Sequence, residues 1–382
     1  MPQTRVVLRL YFAINSLLPP SHNQPRTHVR IKESRGLDQK VELVEEKDSM
    51  QFGITFKGDG SPDRTRYLVR QAEAAGFEYA WFFDSHILWR DPYVAMAMCI
   101  EHTQTMRFGP CVTNPGVREW SVAASLFGSL AFQSRGRLDI GVGRGDSSLR
   151  VMGKQPADLA EMISFSEKIK EMVRGNETSY EGGAAPVHLE WCPGYELPIW
   201  MAAYGPKAIK VAGENADGLI LQIAEPAICR WLTDQAVKAG ENAGRDMGSY
   251  EVMAAAPAYI GSMDVCVEKT KWFPAMVGNH AADIVERYGK NTDAVPRSLV
   301  EYIENRRGYD YRKHGRSDNP FLDFITPDVV KSFAVLGSAE EHVEKLTRLH
   351  DSGITQFNIY IDNGEEERLI AEYGNHVIPK FR

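Results

Sequence analysis

The chain reads as an α/β protein folded as an eight-stranded (β/α)8 TIM barrel, and three observations point there. From residue 50 onward, eight short apolar runs alternate with helix-period runs, and eight is the number of strands that closes a parallel sheet on itself. Polar and glycine-spaced turns recur at the ends of those runs, at Asp84, Asn114, Gly143 and Gly205. One connection, residues 264–332 between the seventh and eighth strands, is far longer than an ordinary loop and reads as a large insertion.

The first 49 residues differ from the rest. Up to Arg30 they carry Arg5, Arg9, Arg26 and Arg30, with no acidic residue, around an apolar run at 6–18. They read as a disordered N-terminal extension, the alternative being a mitochondrial transit peptide. The barrel domain is expected over 50–382. Residues 51–56 form the first strand; Pro62 opens a helix with Leu68, Ala72 and Ala75 on one face, and Gly76 closes it. Strands follow at 79–83, 107–113 and 137–142, with helices at 121–133 and 158–174. Further strands are expected at 198–203, 218–223, 251–260 and 356–361. The insertion is rich in aromatic and basic residues, with a helical stretch at 285–311. Ser338 with Glu341 three residues on marks a capping box before a helix at 339–346.

Composition narrows the function. A hydrophobic share of 43%, a charged share of 25% and a net charge of −7 describe an ordinary globular chain. They argue against a nucleic-acid groove, which wants clustered basic residues. The five cysteines are scattered, odd in number and without CxxC spacing, so a reducing, cytoplasmic location is expected. No apolar run approaches the roughly 18 residues that span a bilayer. No HExxH pair suggests a metal, and no GxSxG suggests a nucleophile elbow.

In a barrel, active sites sit at the C-terminal ends of the strands. Asp84-Ser85-His86 follows the second strand and Thr113-Asn114-Pro115, then Arg118-Glu119, the third. Gly143-Arg144-Gly145-Asp146-Ser147 follows the fourth, Tyr204-Gly205-Pro206-Lys207 the fifth, and Gln222 ends the sixth. Gly141-x-Gly143-x-Gly145 lets backbone N–H groups approach a planar or anionic ligand, because glycine has no Cβ in the way. Its third glycine comes one position early for the dinucleotide fingerprint, which counts against NAD. Each ending has a bland alternative: Asp84 and Asp146 as helix caps, His86 as a surface histidine, Gly205-Pro206-Lys207 as a plain helix start.

Together these motifs resemble the bacterial luciferase-like superfamily of flavin and deazaflavin (coenzyme F420) oxidoreductases, closest to its methylenetetrahydromethanopterin-reductase-like branch. The carrying residues are Gly109-Pro110-Cys111-Val112-Thr113-Asn114-Pro115 with Arg118, Gly136-Arg137, residues 141–146, Tyr204-Gly205-Pro206-Lys207 with Ala216-Asp217-Gly218, and residues 336–341. The resemblance implies a ring cofactor, FMN or coenzyme F420, at the strand C-termini and no metal. It implies a bulge in strand three at the Cys111–Val112 bond, often a cis peptide in this family. Cys111, Val112, Thr113, Asn114, Gly143, Gly145, Ser147, Ala203, Tyr204 and Gln222 would line the ring or its side chain. Gly205, Pro206 and Lys207 would hold the phosphate. His86, Asp84 and Asp146 are the candidates for proton handling, with Ser85 separating the family's usual Asp-His pair. Arg118 and Glu119 stand where substrate is met, but Trp120 replaces the proline of the reductases' Arg-His-Pro.

The implied activity is hydride transfer between the ring and a small organic substrate. The first alternative is an FMN monooxygenase fed by a partner flavin reductase. A second, of another class, is a non-catalytic flavin-binding or partner subunit. A homo-oligomer, as a homodimer, is the expected assembly.

Overall fold

The structure, a computed structural model, describes residues 49–278, 300, 301, 304, 312, 325–361 and 364–382. Nearly all of the expected N-terminal extension, most of the helix expected at 285–311 and most of the insertion lie outside the described residues.

Strands β1 (Gln51–Phe56), β2 (Tyr79–Phe82), β3 (Arg107–Pro110), β4 (Ile140–Val142), β5 (Ile199–Ala202), β6 (Gly218–Leu221) and β7 (Glu251–Ile260) appear in that order along the chain. The short β8 (Val335–Gly337) and then β9 (Gln356–Tyr360) follow. All pairings are parallel, in the order β3-β2-β1-β9-β7-β6-β5-β4. Bridges Phe108–Leu138 and Thr113–Val142 join the two ends of that order. There Thr113 N donates to Gly141 O and Gly143 N to Thr113 O, each at 2.8 Å. The result is the expected barrel.

Two departures have physical causes. Strand three was expected to run through Thr113, but its ladder stops at Pro110. The Cys111–Val112 peptide is cis, and the chain bulges there before rejoining the sheet at Thr113. This is the bulge the resemblance implied. The unforeseen β8 pairs with Ala258–Ile260, the overhang of the ten-residue β7. Three residues are too few for a period-2 signal.

Large aromatic rings fill the interior. Trp81 donates its indole N–H to Gln356 Oε1 at 2.8 Å. It stacks on Tyr79 with centroids 5.6 Å apart and meets Trp200 edge-on at 5.9 Å. Such rings bury about 150–250 Å² each and demand room from their neighbours. A Cβ at Gly218 would stand 2.5 Å from the Trp200 ring, and one at Gly109 only 2.1 Å from Asp139 O. Glycine is therefore a packing requirement on these strands.

The helices cover the barrel outside: α1 (Pro62–Ala74), α2 (Pro92–Ile100), α3 (Trp120–Ser134), α4 (Asp146–Arg150), α5 (Leu159–Val173), α6 (Pro206–Asn215) and α7 (Pro226–Asn242). After β7 come α8 (Met263–Thr270), α9 (Trp272–Met276), α10 (Pro327–Phe333), α11 (Ala339–Asp351) and α12 (Glu366–Glu372). Their starts are written in the sequence. Ser61 and Asp91 cap α1 and α2 through side-chain oxygens. Full capping boxes open α5 at Asp158/Glu161 and α11 at Ser338/Glu341; the second was legible from spacing.

Candidate active site

The ends of β2, β4, β5 and β6 surround a cleft of about 270 Å³, with the bulge after β3 on its wall. Of the residues expected near a ring, Cys111, Val112, Gly143, Gly145, Ser147, Ala203, Tyr204, Gly205, Lys207 and Gln222 line it. Thr113, Asn114 and Pro206 do not. Thr113 and Asn114 are buried behind the wall: Thr113 Oγ1 donates to Asp84 and Asn114 Nδ2 to Ser148 Oγ at 2.9 Å.

Small residues make the floor. A Cβ on Gly143 would come within 2.6 Å of Val112 Cγ2. Gly145 adopts φ +80°, and a Cβ there would strike the Asn114 side chain at 2.6 Å. These glycines pack closely on Val112 and Asn114, and with Ala202 and Ala203 they leave this part of the cleft lining little side-chain bulk, room for a flat ring. The other wall carries Phe83 and Trp89, which stack at 5.2 Å, with Met276 and Val277.

One edge of the cleft is built for an anion. The N-cap of α6, Gly205, offers no side chain to the first turn, and Pro206 has no N–H. The backbone N–H groups of Lys207 and Ala208 are therefore uncapped, and both residues line the cleft. The Lys207 side chain is exposed and has no ion pair among the described residues. Uncapped N–H groups, the helix dipole and an ammonium are together suited to an anion such as a phosphate. The donors and the flat floor fit a phosphate-bearing ring cofactor.

The three proton-handling candidates separate. Asp84 lies at the cleft wall but is fully committed. It accepts from Tyr93 Oη and Thr113 Oγ1, each at 2.8 Å, and from Arg118 Nη1 at 2.8 and 3.1 Å. Its side chain has no solvent exposure. His86 points away: it is exposed and outside the cleft lining. Asp146 lines the cleft at the first position of α4, half-exposed and paired with Arg150 at 2.7 Å. The residue from this turn that faces the cleft is Ser85, buried, with its hydroxyl 3.1 Å from that of Ser147.

The two expected substrate residues have structural engagements. Arg118 spans Asp84 and Asp91, with Nη2 2.5 Å from Asp91 Oδ2, and lies over the Tyr93 ring at 4.5 Å. Glu119 caps α3, accepting from Ser121 N at 2.9 Å and Val122 N at 3.2 Å. Neither lines the cleft.

Ser85 and Arg144, named only as members of their strand-end turns, line the cleft too, as do the unforeseen Phe83, Trp89, Ser148, Leu159, Ala202, Ala208, Met276 and Val277. One signal was available in the i, i+4 spacing of Ser85 and Trp89, and in the structure Trp89 N donates to Ser85 O at 3.0 Å. Met276 and Val277 come from the far side of the sequence and carry no local mark.

A buried polar chain lies behind the cleft. Tyr204 Oη accepts from Gln222 N at 3.0 Å and lies 3.2 Å from Gln222 Oε1, while Gln222 Nε2 donates to Tyr360 Oη at 2.9 Å. Tyr360 in turn hydrogen-bonds the Cys111 thiol. Burial pushes both phenols above their ordinary range and the thiol up to about 12, so these groups stay protonated and Cys111 is no thiolate nucleophile. Among the described residues no cluster could hold a metal ion, and no helix is long and apolar enough to cross a membrane.

A parallel barrel whose strand ends enclose a cleft of small residues, with an anion-suited helix start and a carboxyl group in its lining, has the layout of a ring-cofactor enzyme. The chain belongs to the luciferase-like monooxygenase family, which it matches over residues 48–356. It is similar to the 5,10-methylenetetrahydromethanopterin reductase of Methanopyrus kandleri, 27% identical over 358 residues, or 87% of this chain and 99% of the relative. An F420-dependent glucose-6-phosphate dehydrogenase of Amycolatopsis mediterranei is 23% identical over 354 residues, covering 85% and 95%. Among solved structures, a coenzyme F420-dependent tetrahydromethanopterin reductase from Methanopyrus kandleri matches with a TM-score of 0.70. It is 24% identical over 87% of this chain and all of that one, a likeness of fold.

Proposed function

We propose that the chain is an oxidoreductase that moves a hydride between coenzyme F420 and a small organic substrate. The observation that carries this is the cleft itself, a flat glycine floor running to the uncapped start of α6. The relatives named for F420-dependent reactions favour the deazaflavin over FMN. When bound, the cofactor supplies the hydride donor or acceptor.

The protein's part is to bind, orient and handle the proton. Lys207 and the N–H groups of Lys207 and Ala208 hold the phosphate. Gly143 and Gly145 let the ring lie against Val112. Asp146 gives or takes the substrate's proton, a task worth typically 10²–10⁴-fold in rate. The Ser85–Ser147 hydroxyl pair hydrogen-bonds the substrate oxygen, and Phe83, Trp89, Met276 and Val277 keep water out. Asp84 acts as a buried anchor for Arg118.

The second reading is an FMN monooxygenase supplied by a separate flavin reductase, favoured by the family's own description. Oxygen separates the two. The protein is mixed with a panel of alcohols, aldehydes and ketones and with oxidised or reduced F420, and the cofactor's visible absorbance is followed without oxygen. Anaerobic substrate-dependent bleaching or recovery supports hydride transfer. Turnover that needs both reduced FMN and oxygen would replace it with the monooxygenase.

A homodimer is supported by the all-apolar α2 and by the large apolar side chains that α2 and α3 leave exposed. Val94, Val122 and Phe132 are 61%, 60% and 62% exposed there, a pattern of helices awaiting a partner.

A further inference from the structure

A carboxamide has two N–H donors and two acceptor lone pairs. At Gln222 one of each is spent on a tyrosine: Oε1 on Tyr204 Oη and Nε2 on Tyr360 Oη. The backbone N–H of Gln222 also donates to Tyr204 Oη, which leaves that hydroxyl's own proton for Oε1. Tyr360 is held in turn by the Cys111 thiol. The amide is thus fixed in one orientation by buried, protonated phenols, while Gln222 itself is only half-buried and lines the cleft. A second N–H and a second lone pair of this carboxamide remain for a ligand.

We infer that Gln222 reads the imide edge of the bound ring, its free N–H donating to a ring carbonyl and its free lone pair accepting from the ring N–H beside it. An imide presents acceptor and donor adjacent to each other, the complement of an oriented carboxamide. Such a pair selects against a ring that lacks the N–H, because the buried polar groups would be left unpaired. This rests on the reading that a flavin-type ring occupies the cleft.

The test is a pair of fluorescence-quenching titrations with FMN and N3-methyl-FMN, run in parallel with 5-deazariboflavin 5′-phosphate and its N3-methyl derivative. The wild-type protein should bind the methylated ring about tenfold or more weakly, the scale of one or two lost hydrogen bonds. Gln222→Leu should weaken the parent ring by a similar factor and bring the two affinities within about twofold of each other. Equal wild-type affinities, or discrimination that survives in Gln222→Leu, would overturn the assignment. Binding of no parent ring would instead sink the cofactor reading on which it stands. If the leucine variant does not fold, the ring N–H of the wild-type complex is titrated spectrophotometrically. Its ionisation should move to higher pH than in free cofactor, and an unchanged midpoint overturns the assignment.

Discussion

Replacing Arg118 with methionine should destabilise the fold by about 3–5 kcal/mol, the range for removing one partner of a buried ion pair. The Asp84 side chain is wholly buried and Arg118 is 16% exposed. Without the guanidinium, Asp84 keeps only the hydroxyls of Tyr93 and Thr113. At about 1 kcal/mol each net, those bonds are too weak to offset desolvation of a carboxylate. Methionine retains an aliphatic stem, so little of the loss is a cavity, though the guanidinium's contact with the Tyr93 ring goes too. Urea unfolding followed by near-UV circular dichroism measures the change. Asp84→Asn in the same chain should restore a large part of it, with a coupling energy of about 2 kcal/mol or more. A loss below about 1 kcal/mol, as for an exposed pair, or strict additivity in the double variant, would refute the buried-anchor role of Asp84.

Three further outcomes are expected. Gly143→Ala places a Cβ 2.6 Å from Val112 Cγ2; ring affinity should drop about tenfold or more while stability falls by about 1–3 kcal/mol, and undiminished affinity would show that the floor is not a contact surface. His342 is buried between Tyr373 Oη (2.9 Å) and Tyr259 O (3.1 Å), and burial pushes its imidazole down from 6.5 to about 4. Because the unfolded chain protonates first, stability present above pH 6.5 is lost as the pH falls towards 4, by up to about 3 kcal/mol; the same acid slope in His342→Gln would exclude this residue as its source. Phe132→Asp on the exposed face of α3 should convert a dimer to a monomer in sedimentation velocity, and an unaltered sedimentation coefficient would remove that face from the interface.

The sequence carried the barrel because the strands are apolar runs and most helix starts bear their own cap or proline. Pro206 after Gly205, and Ser338 with Glu341, are local chemistry that needs no tertiary information. Residues named from strand ends also reached the cleft where backbone dictates their place, as at Gly143, Gly145 and Gly205. What failed to transfer was side-chain direction. Asp84, Ser85 and His86 are consecutive, yet one is a buried anchor, one faces the cleft and one faces solvent. That division depends on Arg118, thirty-odd residues away, and no local period encodes it. Met276 and Val277 were likewise illegible, because their place in the cleft lining is set by the return of the chain after β7.

The most direct test of the account is a titration of the purified protein with coenzyme F420 and, separately, with FMN, followed by fluorescence quenching in the wild type and in Lys207→Ala. The cleft and its phosphate seat predict micromolar binding of at least one ring, tighter for F420, and a loss of about tenfold in the variant, of the order of a charge-assisted hydrogen bond. Absence of micromolar binding to either ring, or an affinity indifferent to Lys207, would contradict it.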